Sequence, residues 1–140
     1  MEKGDFFRQY INAKRAYRIN KDTLINKGIA INQQKRLKAL SFENETFMVV
    51  VPMTKEELRT EGELQHNCVG GYGDRIAEGN RNVVFIRRKA DPTKAYITCD
   101  IYTDGTINQY LTKYNQGVSA DDAKEFYRAY QEHLSTHWGE

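Results

Sequence analysis

A strand–turn–strand pattern occupies residues 95–111, which read AYITCDIYTDGTINQYL. β-Branched and aromatic residues are frequent on both sides of Asp104-Gly105, a dipeptide typical of tight hairpin turns. Upstream, the apolar run Phe47–Val51 stops at Pro52, and Val83–Arg88 forms another apolar segment. Strands joined by short turns run antiparallel. These segments therefore predict a small antiparallel sheet, made of a three-stranded meander and one further strand.

The turn also determines which strand residues share a face. With a two-residue turn, Tyr102 pairs with Ile107 and Asp100 pairs with Gln109. Because side chains alternate along a strand, Thr98, Asp100 and Gln109 then lie on one face. A three-residue bulged loop would break this register. The polar face is either the floor of a binding site or, as is more usual, a solvent-exposed surface.

The first 45 residues are predicted to form a basic helical arm, and residues 46–140 to form the body. An apolar stripe over residues 5–19 predicts one helix, Gly28 is expected to interrupt a second, and residues 32–40 suggest a third. Residues 1–40 hold ten Lys or Arg and three Asp or Glu. Such an arm suits DNA, RNA or another acidic partner, although a solvated face or docking on the acidic body is the commoner role.

Two helix starts are visible in the body. Thr54 precedes Glu57 by three residues, which is a capping box and predicts a helix over residues 55–64. Ser119 is the expected cap of a final helix. Its apolar positions recur at helical spacing: Ala123, Phe126, Tyr127, Tyr130 and Leu134. Helices alternating with an antiparallel sheet define the fold class as α+β.

The composition of the chain indicates the cellular compartment in which the protein is expected. No run of about 18 apolar residues is present, so no membrane span and no membrane partner are expected. The N-terminus lacks an apolar signal core, which predicts a cytoplasmic protein. Cys68 and Cys99 are then expected to be free thiols.

The richest chemistry lies in residues 61–72, which read EGELQHNCVGGY. His66 and Cys68 are two residues apart, a spacing that suits a base and a thiol nucleophile, with Gln109 or Asn115 to orient the imidazole or hold an oxyanion. The alternative is a buried Cys68 that packs as a small hydrophobe, which is the usual fate of an intracellular cysteine. Gly70 and its neighbour allow a sharp turn or a close approach to a ligand.

An ordered series of short motifs resembles the PcfJ-like domain of conjugative plasmids and phages. It comprises FMVVVP at 47–52, Glu61-Gly62, HNCVG at 66–70, Tyr72, VFIR at 84–87, Tyr96-Ile97-Thr98, Gln109 and Lys113-Tyr114-Asn115. The resemblance covers residues 47–117 and implies origin in a mobile genetic element, with plasmid or phage machinery or a host protein as partner. It implies a functional set of His66, Cys68, Gly70, Tyr72, Thr98, Gln109 and Asn115. The family usually has Glu where this chain has Asp100.

Three functions are consistent with these patterns. The first is binding of nucleic acid or a nucleotide-like ligand through Gly70, Tyr72, Thr98, Asp100, Gln109 and Asn115, with tyrosines such as Tyr110 and Tyr114 as stacking platforms. The second is a cysteine-dependent enzyme with His66 and Cys68 as catalytic residues, and the third is a protein–protein adaptor. No Walker A loop or G-x-G-x-x-G motif is present, and no cofactor is expected. A zinc site at His133 and His137 lacks the usual ligand spacing, so no metal is expected either.

Overall fold

A computed structural model describes residues 3–140 of the chain, and it describes their side chains except those of residues 3–8, 10 and 16–19. Phe6, Tyr10 and Tyr17, which carry most of the predicted N-terminal stripe, lie outside the described side chains. The helices are α1 (Lys3–Lys35), α2 (Leu37–Leu40), α3 (Lys55–Gln65), α4 (Gly73–Ala77) and α5 (Asp121–His137). The strands are β1 (Phe47–Val50), β2 (Asn82–Arg88), β3 (Ile97–Ile101), β4 (Ile107–Thr112) and β5 (Gln116–Gly117). Short 3₁₀ turns span Val69–Gly71 and Lys113–Asn115.

The five strands form one antiparallel sheet in the order β1-β2-β3-β4-β5. This confirms the α+β class and the antiparallel meander. The fifth strand was not predicted, because Gln116–Gly117 is too short to carry an alternating pattern. It pairs with the end of β4 and so closes the loop that contains Asn115.

The turn between β3 and β4 contains three residues rather than the predicted two. The N–H of Tyr102 donates to the carbonyl of Thr106 at 2.9 Å, and Gly105 has a φ of 87°, which glycine adopts readily. Ile107 therefore pairs with Ile101, and its predicted pairing with Tyr102 is wrong.

A bulge next to this turn restores the predicted register. Asn108 is an extra residue in β4, so that Asp100 still pairs with Gln109 and Thr98 with Leu111. The one-residue shift from the turn and the opposite shift from the bulge cancel each other. The polar residues of the hairpin consequently share a face, as the alternation predicted.

Helices cover both faces of the sheet. On one face, α2 and α5 pack on a core that includes Ile97, Cys99 and Ile101. On the other face, Val83 and Phe85 pack against residues of α1, α3 and α4 and of the turn before α4: Ile29, Leu58, Val69 and Ile76. The alternating side chains of β2 and β3 thus serve two separate apolar cores.

Helix α5 uses the predicted apolar stripe. Ala123, Phe126, Tyr130 and Leu134 are buried, and Tyr127 is half-buried. The residue before the helix is Ala120, whose side chain makes no capping hydrogen bond, so the expected cap at Ser119 is wrong.

Helix α1 runs through Gly28 without interruption, which corrects the predicted break. A Cβ at Gly28 would lie 2.8 Å from the Cβ of Ala77, so the glycine permits close contact between α1 and α4. One turn later, the Asn32 side chain donates to the carbonyls of Ile76 and Ala77 at 2.9 Å each. Glycine lowers the helix propensity at this position, and the close packing against α4 explains why it is present inside the helix.

Two polar contacts attach the layers to the sheet. The buried Gln33 side chain donates to the carbonyl of Val83 at 2.6 Å, which joins α1 to β2.

Arg87 on β2 forms a two-bond ion pair with Glu61 on α3, with Nη2 of the arginine 2.6 Å from Oε1 of the glutamate. Only 2% of the Glu61 side chain is exposed. Both the glutamate and the arginine belong to the motifs that resemble the PcfJ-like family.

The predicted capping box starts α3. The Thr54 hydroxyl accepts a hydrogen bond from the N–H of Glu57 at 3.2 Å, and the Glu57 carboxylate accepts from the N–H of Met53. The glutamate therefore reaches one residue further back than in the usual box. The helix that begins at this cap ends at Gln65, directly before the HNCVG motif.

Candidate functional site

The chain reverses sharply at the end of α3. His66 has a φ of 52°, in the left-handed region, and the N–H of Asn67 donates to the carbonyl of Gly62 at 3.1 Å. A Cβ at Gly62 would lie 3.1 Å from the backbone nitrogen of Gly70. The small residue thus lets the segment 66–72 fold back closely over the helix.

Asn67 anchors this segment to the sheet. Its side-chain amide donates to the hydroxyl of Thr98 on β3 at 3.1 Å, and its carbonyl oxygen accepts from the N–H of Val69 at 3.0 Å. Asn67 was not among the predicted site residues. Its position in the HNCVG motif was the available signal, since an asparagine beside a helix end often hydrogen-bonds nearby backbone.

The anchored segment and the β3–β4 hairpin enclose a cleft of about 280 Å³. Its lining residues are Asn67, Cys68, Val69, Tyr72, Val83, Thr98, Asp100, Gln109, Leu111 and Asn115. Six of the eight predicted site residues are therefore brought together: Cys68, Tyr72, Thr98, Asp100, Gln109 and Asn115. The other two, His66 and Gly70, do not line this cleft.

Asp100 lies beneath the cleft and is buried, with 5% of its side chain exposed. Its Oδ2 accepts a hydrogen bond from the side-chain amide of the bulge residue Asn108 at 2.8 Å. Its Oδ1 lies 3.6 Å from Nε of Arg81, whose guanidinium lies over the Tyr102 ring. The Tyr102 hydroxyl closes the ring of contacts by donating to Asn108 at 2.6 Å. The expected solvent-exposed pairing of the Asp100 and Gln109 side chains is therefore wrong for Asp100.

The polar groups on the cleft rim remain available. Gln109 and Asn115 are exposed, and Tyr72 is half-buried. Within the described part of the chain, neither carboxamide nor the Tyr72 hydroxyl has a protein hydrogen-bond partner. The hydroxyl of Thr98 accepts from Asn67 and keeps its own hydrogen free to donate. The cleft consequently offers donors and acceptors that are not used by the described residues.

His66 and Cys68 do not form the expected pair. The His66 ring stacks on Tyr114, with 4.6 Å between ring centroids, and no hydrogen bond joins it to the Cys68 thiol among the described residues. Cys68 is exposed on the cleft, so the expectation of a buried, packed thiol is also wrong. Catalytic roles for both residues stay predictions.

Gly70 faces α3 rather than the cleft. A Cβ at this position would lie 3.2 Å from Cα of Arg59. The glycine belongs to the packing that supports the cleft wall, and its ligand-binding role stays a prediction.

Strained backbone borders the cleft. His66, Tyr114 and Asn115 are the non-glycine residues with positive φ in the described part of the chain, at 52°, 60° and 56°. A left-handed conformation costs about 1–2 kcal/mol for an ordinary residue, although asparagine tolerates it well. Such strain persists where surrounding contacts enforce it and is often found at functional sites. Here the His66–Tyr114 stack and the β4–β5 pairing hold the strained residues in place.

Other candidate groups lie away from the cleft. Tyr110 donates to the carbonyl of Ala123 and lies on the opposite face, against the α5 core. The rings of His133 and His137 are 4.5 Å apart on α5. Among the described residues, no group of three His, Cys, Asp or Glu side chains is arranged to hold a metal ion.

The geometry defines a class of protein: an α+β domain with a polar cleft between a helix-end turn and a β-hairpin. The chain belongs to the PcfJ-like family, because the family model for PcfJ-like proteins matches residues 7–127. The match is wider than residues 47–117 and includes most of α1 and the start of α5. Comparison with curated proteins and with solved structures found no match. None of the described helices is long and apolar enough to cross a membrane.

Proposed function

We propose that this protein is an accessory protein of a mobile genetic element and that its cleft binds nucleic acid or a nucleotide-like ligand. One observation carries the binding proposal: exposed side chains from two distant parts of the chain, with no hydrogen-bond partner among the described residues, converge on one cleft. The mobile-element role rests on the family resemblance alone.

The cleft chemistry supports a ligand rich in hydrogen-bonding groups. The carboxamides of Gln109 and Asn115 each offer a donor and an acceptor, and Tyr72 and Thr98 add hydroxyl groups. Leu111 and Val83 supply apolar surface between them. Pockets that combine apolar walls with a few placed polar groups are typical of small-molecule and cofactor sites. Nucleobases and nucleosides match this combination of planar surface and polar edges.

The basic surface of α1 supports the nucleic-acid form of the ligand. Lys14, Arg15, Lys21, Lys27 and Lys35 are exposed and make no ion pair with described residues. Phosphate backbones bind such surfaces without sequence preference. A polymer held by α1 and a nucleotide held by the cleft are therefore compatible.

A cysteine-dependent enzyme is the second candidate, and the exposure of Cys68 on the cleft favours it. A thiol nucleophile works through its thiolate, which a nearby base or cation generates. Because His66 stacks on Tyr114 and makes no hydrogen bond to Cys68, the ligand-binding proposal is better supported.

A binding titration with a charge-matched control tests the proposal. Mononucleotides are titrated by calorimetry, and short fluorescent DNA and RNA strands by polarisation. The variant Leu111→Glu places a carboxylate in the cleft, whereas Leu64→Glu makes the same charge change on an exposed residue outside it. We expect the parent chain and Leu64→Glu to bind both kinds of ligand, and Leu111→Glu to lose mononucleotide binding and to bind the strands more weakly. If none of these ligands binds to the parent chain, the proposed function is wrong. It is also wrong if Leu111→Glu and Leu64→Glu both fold and weaken binding equally.

A further inference from the structure

We infer that the cleft recognises the base of an unpaired nucleotide and does not recognise its phosphate. This inference rests on the proposed function, which leaves open the part of a nucleotide that the cleft contacts. It follows from the charge, the free hydrogen-bonding groups and the size of the cleft.

The charge of the cleft disfavours phosphate. No Lys or Arg is present among the described residues that line it, and its one charged lining residue is the acidic Asp100. Phosphate sites depend on Arg or Lys side chains or on clusters of backbone N–H groups at helix N-termini. Asp100 is buried beneath the cleft floor, where its carboxylate contacts the side-chain amide of Asn108 and the guanidinium of Arg81. Arg81 does not line the cleft, so none of the described lining residues offers a phosphate a cationic partner.

The free groups match the edge of a nucleobase. Gln109 on β4 and Asn115 in the loop after β4 both present carboxamides without a protein partner among the described residues. A carboxamide donates and accepts at adjacent atoms, and this is the pattern that Asn and Gln use to read base edges. Two carboxamides on one cleft can therefore bind one base through neighbouring polar atoms.

The shape of the cleft favours an unpaired base. Its volume of about 280 Å³ is near the lower limit of the roughly 300–1,000 Å³ of pockets that hold drug-sized ligands. A base pair within a duplex has its Watson–Crick edges occupied and is stacked on both sides. Proteins that place a base in a pocket act on single strands or extrude the nucleotide from a duplex. The cleft therefore suits a base at a strand end, in a loop or in a free nucleotide.

Competition with parts of a nucleotide tests the inference. The bound probe is a fluorescent single-stranded oligonucleotide, and the competitors are the four nucleosides, the matching monophosphates, ribose 5-phosphate and inorganic phosphate, at constant ionic strength. We expect at least one nucleoside to compete within about threefold of its monophosphate. Ribose 5-phosphate and inorganic phosphate should not compete. A duplex of the same sequence, or a strand with abasic sites throughout, should bind at least about tenfold more weakly than the probe.

Two substitutions locate the contact. Gln109→Ala removes one carboxamide, and its matched control Gln116→Ala removes an exposed glutamine outside the cleft. Asn115→Gly removes the second carboxamide while it preserves the positive φ of this residue. Each cleft variant should weaken nucleoside competition about tenfold, whereas Gln116→Ala should leave it unchanged. Thermal unfolding should be similar for Gln109→Ala and its control, because neither side chain is hydrogen-bonded to a described residue.

The outcomes separate the two proposals. If no nucleoside, nucleotide or oligonucleotide binds, the proposed function fails, and this inference fails with it. If ribose 5-phosphate or inorganic phosphate competes as well as the nucleotide, or if the abasic strand binds as tightly as the probe, nucleotide binding stands but base recognition is overturned. Equal effects of Gln109→Ala and Gln116→Ala would also overturn it.

Discussion

At the scale of single residues, the two cysteines occupy opposite environments. Cys99 is fully buried between the sheet and α5, and burial, together with the neighbouring Asp100 carboxylate, raises the pKa of its thiol far above the ordinary range. Cys68 is exposed on the cleft. Because only the thiolate reacts readily, the two thiols should differ in reactivity.

We expect iodoacetamide to alkylate Cys68 in the folded protein and to reach Cys99 only after unfolding. Peptide mass spectrometry at increasing denaturant measures both rates. A catalytic thiol would also react well below about pH 8.5, the ordinary thiol range. Cys68→Ser should leave nucleotide binding nearly intact, since the thiol is not needed for the proposed contacts. Alkylation of Cys99 at the same rate in the native protein would contradict the observed burial.

The Cys68 variant also discriminates binding from catalysis. If a turnover activity is found, its loss in Cys68→Ser with retained binding would favour the enzyme. If the alkylation rate of Cys68 rises with pH only in the ordinary thiol range, this result would argue against an activated nucleophile.

At the scale of elements, close contact between α1 and α4 depends on Gly28. Alanine at this position should improve helix propensity by about 1 kcal/mol if packing were absent. Its Cβ would instead lie 2.8 Å from the Cβ of Ala77, and overpacking of this kind typically costs about 1–3 kcal/mol. We therefore expect Gly28→Ala to lower the free energy of unfolding in urea titrations.

The control is the double variant Gly28→Ala, Ala77→Gly. Removing the opposing methyl group should restore much of the loss, so the two changes should couple favourably in a double-mutant cycle. A stabilising effect of Gly28→Ala alone would show that α1 and α4 do not pack as described.

The buried ion pair between α3 and β2 is a second link between elements. Replacing Arg87 by methionine would leave the Glu61 carboxylate buried without a partner, which should cost about 3–5 kcal/mol in unfolding free energy. The double variant Glu61→Leu, Arg87→Met should be much less destabilised, because no unpaired charge remains. A loss below about 1 kcal/mol in the single variant would indicate that Glu61 reaches solvent.

At the scale of the whole molecule, the cations of the basic arm fall into two groups, those that contact the rest of the protein and those that have no partner among the described residues. Arg36 lies over the Trp138 ring and donates to the Trp138 carbonyl, and Lys38 pairs with Glu140 at 3.1 Å. These two cations serve contacts within the protein, as the docking interpretation of the arm suggested. Exposed cations earlier in α1 have no such partners among the described residues, so they are the candidates for phosphate contacts.

We expect oligonucleotide binding to weaken steeply with salt, and the triple variant Lys14→Gln, Arg15→Gln, Lys21→Gln to reduce that dependence. The slope of the logarithm of the binding constant against the logarithm of the salt concentration is negative. If all three cations neutralise phosphates of a single strand, this slope should become less steep by about 2 in the variant. Polarisation titrations over a series of salt concentrations measure this slope.

The body supplies the matched control for these cations. The control is the triple variant Lys94→Gln, Lys124→Gln, Arg128→Gln, which makes the same charge change at three exposed positions outside α1. It should alter the slope less. Equal slopes for the two triple variants, or no binding at low salt, would remove the role proposed for α1. The division into an arm of residues 1–45 and a body of residues 46–140 stays a prediction.

Local patterns were sufficient to predict much of the architecture. Alternation along β3 and β4 predicted that Thr98 and Asp100 lie on one face and Ile97 and Cys99 on the other, and the apolar stripe of α5 predicted its buried face. The Thr54 cap was also predicted correctly. These features depend on residues close in sequence, where side-chain periodicity and backbone preference act directly.

Long-range packing decided the rest. Only the folded structure shows that a three-residue turn and a bulge at Asn108 compensate each other, that Gly28 meets Ala77, and that Asp100 is buried rather than exposed. By itself, the sequence determined the fold class, the faces of the strands and the short motifs that identify the family. The tertiary structure decided which of those residues meet around the cleft, because burial and contact depend on elements packed from distant parts of the chain.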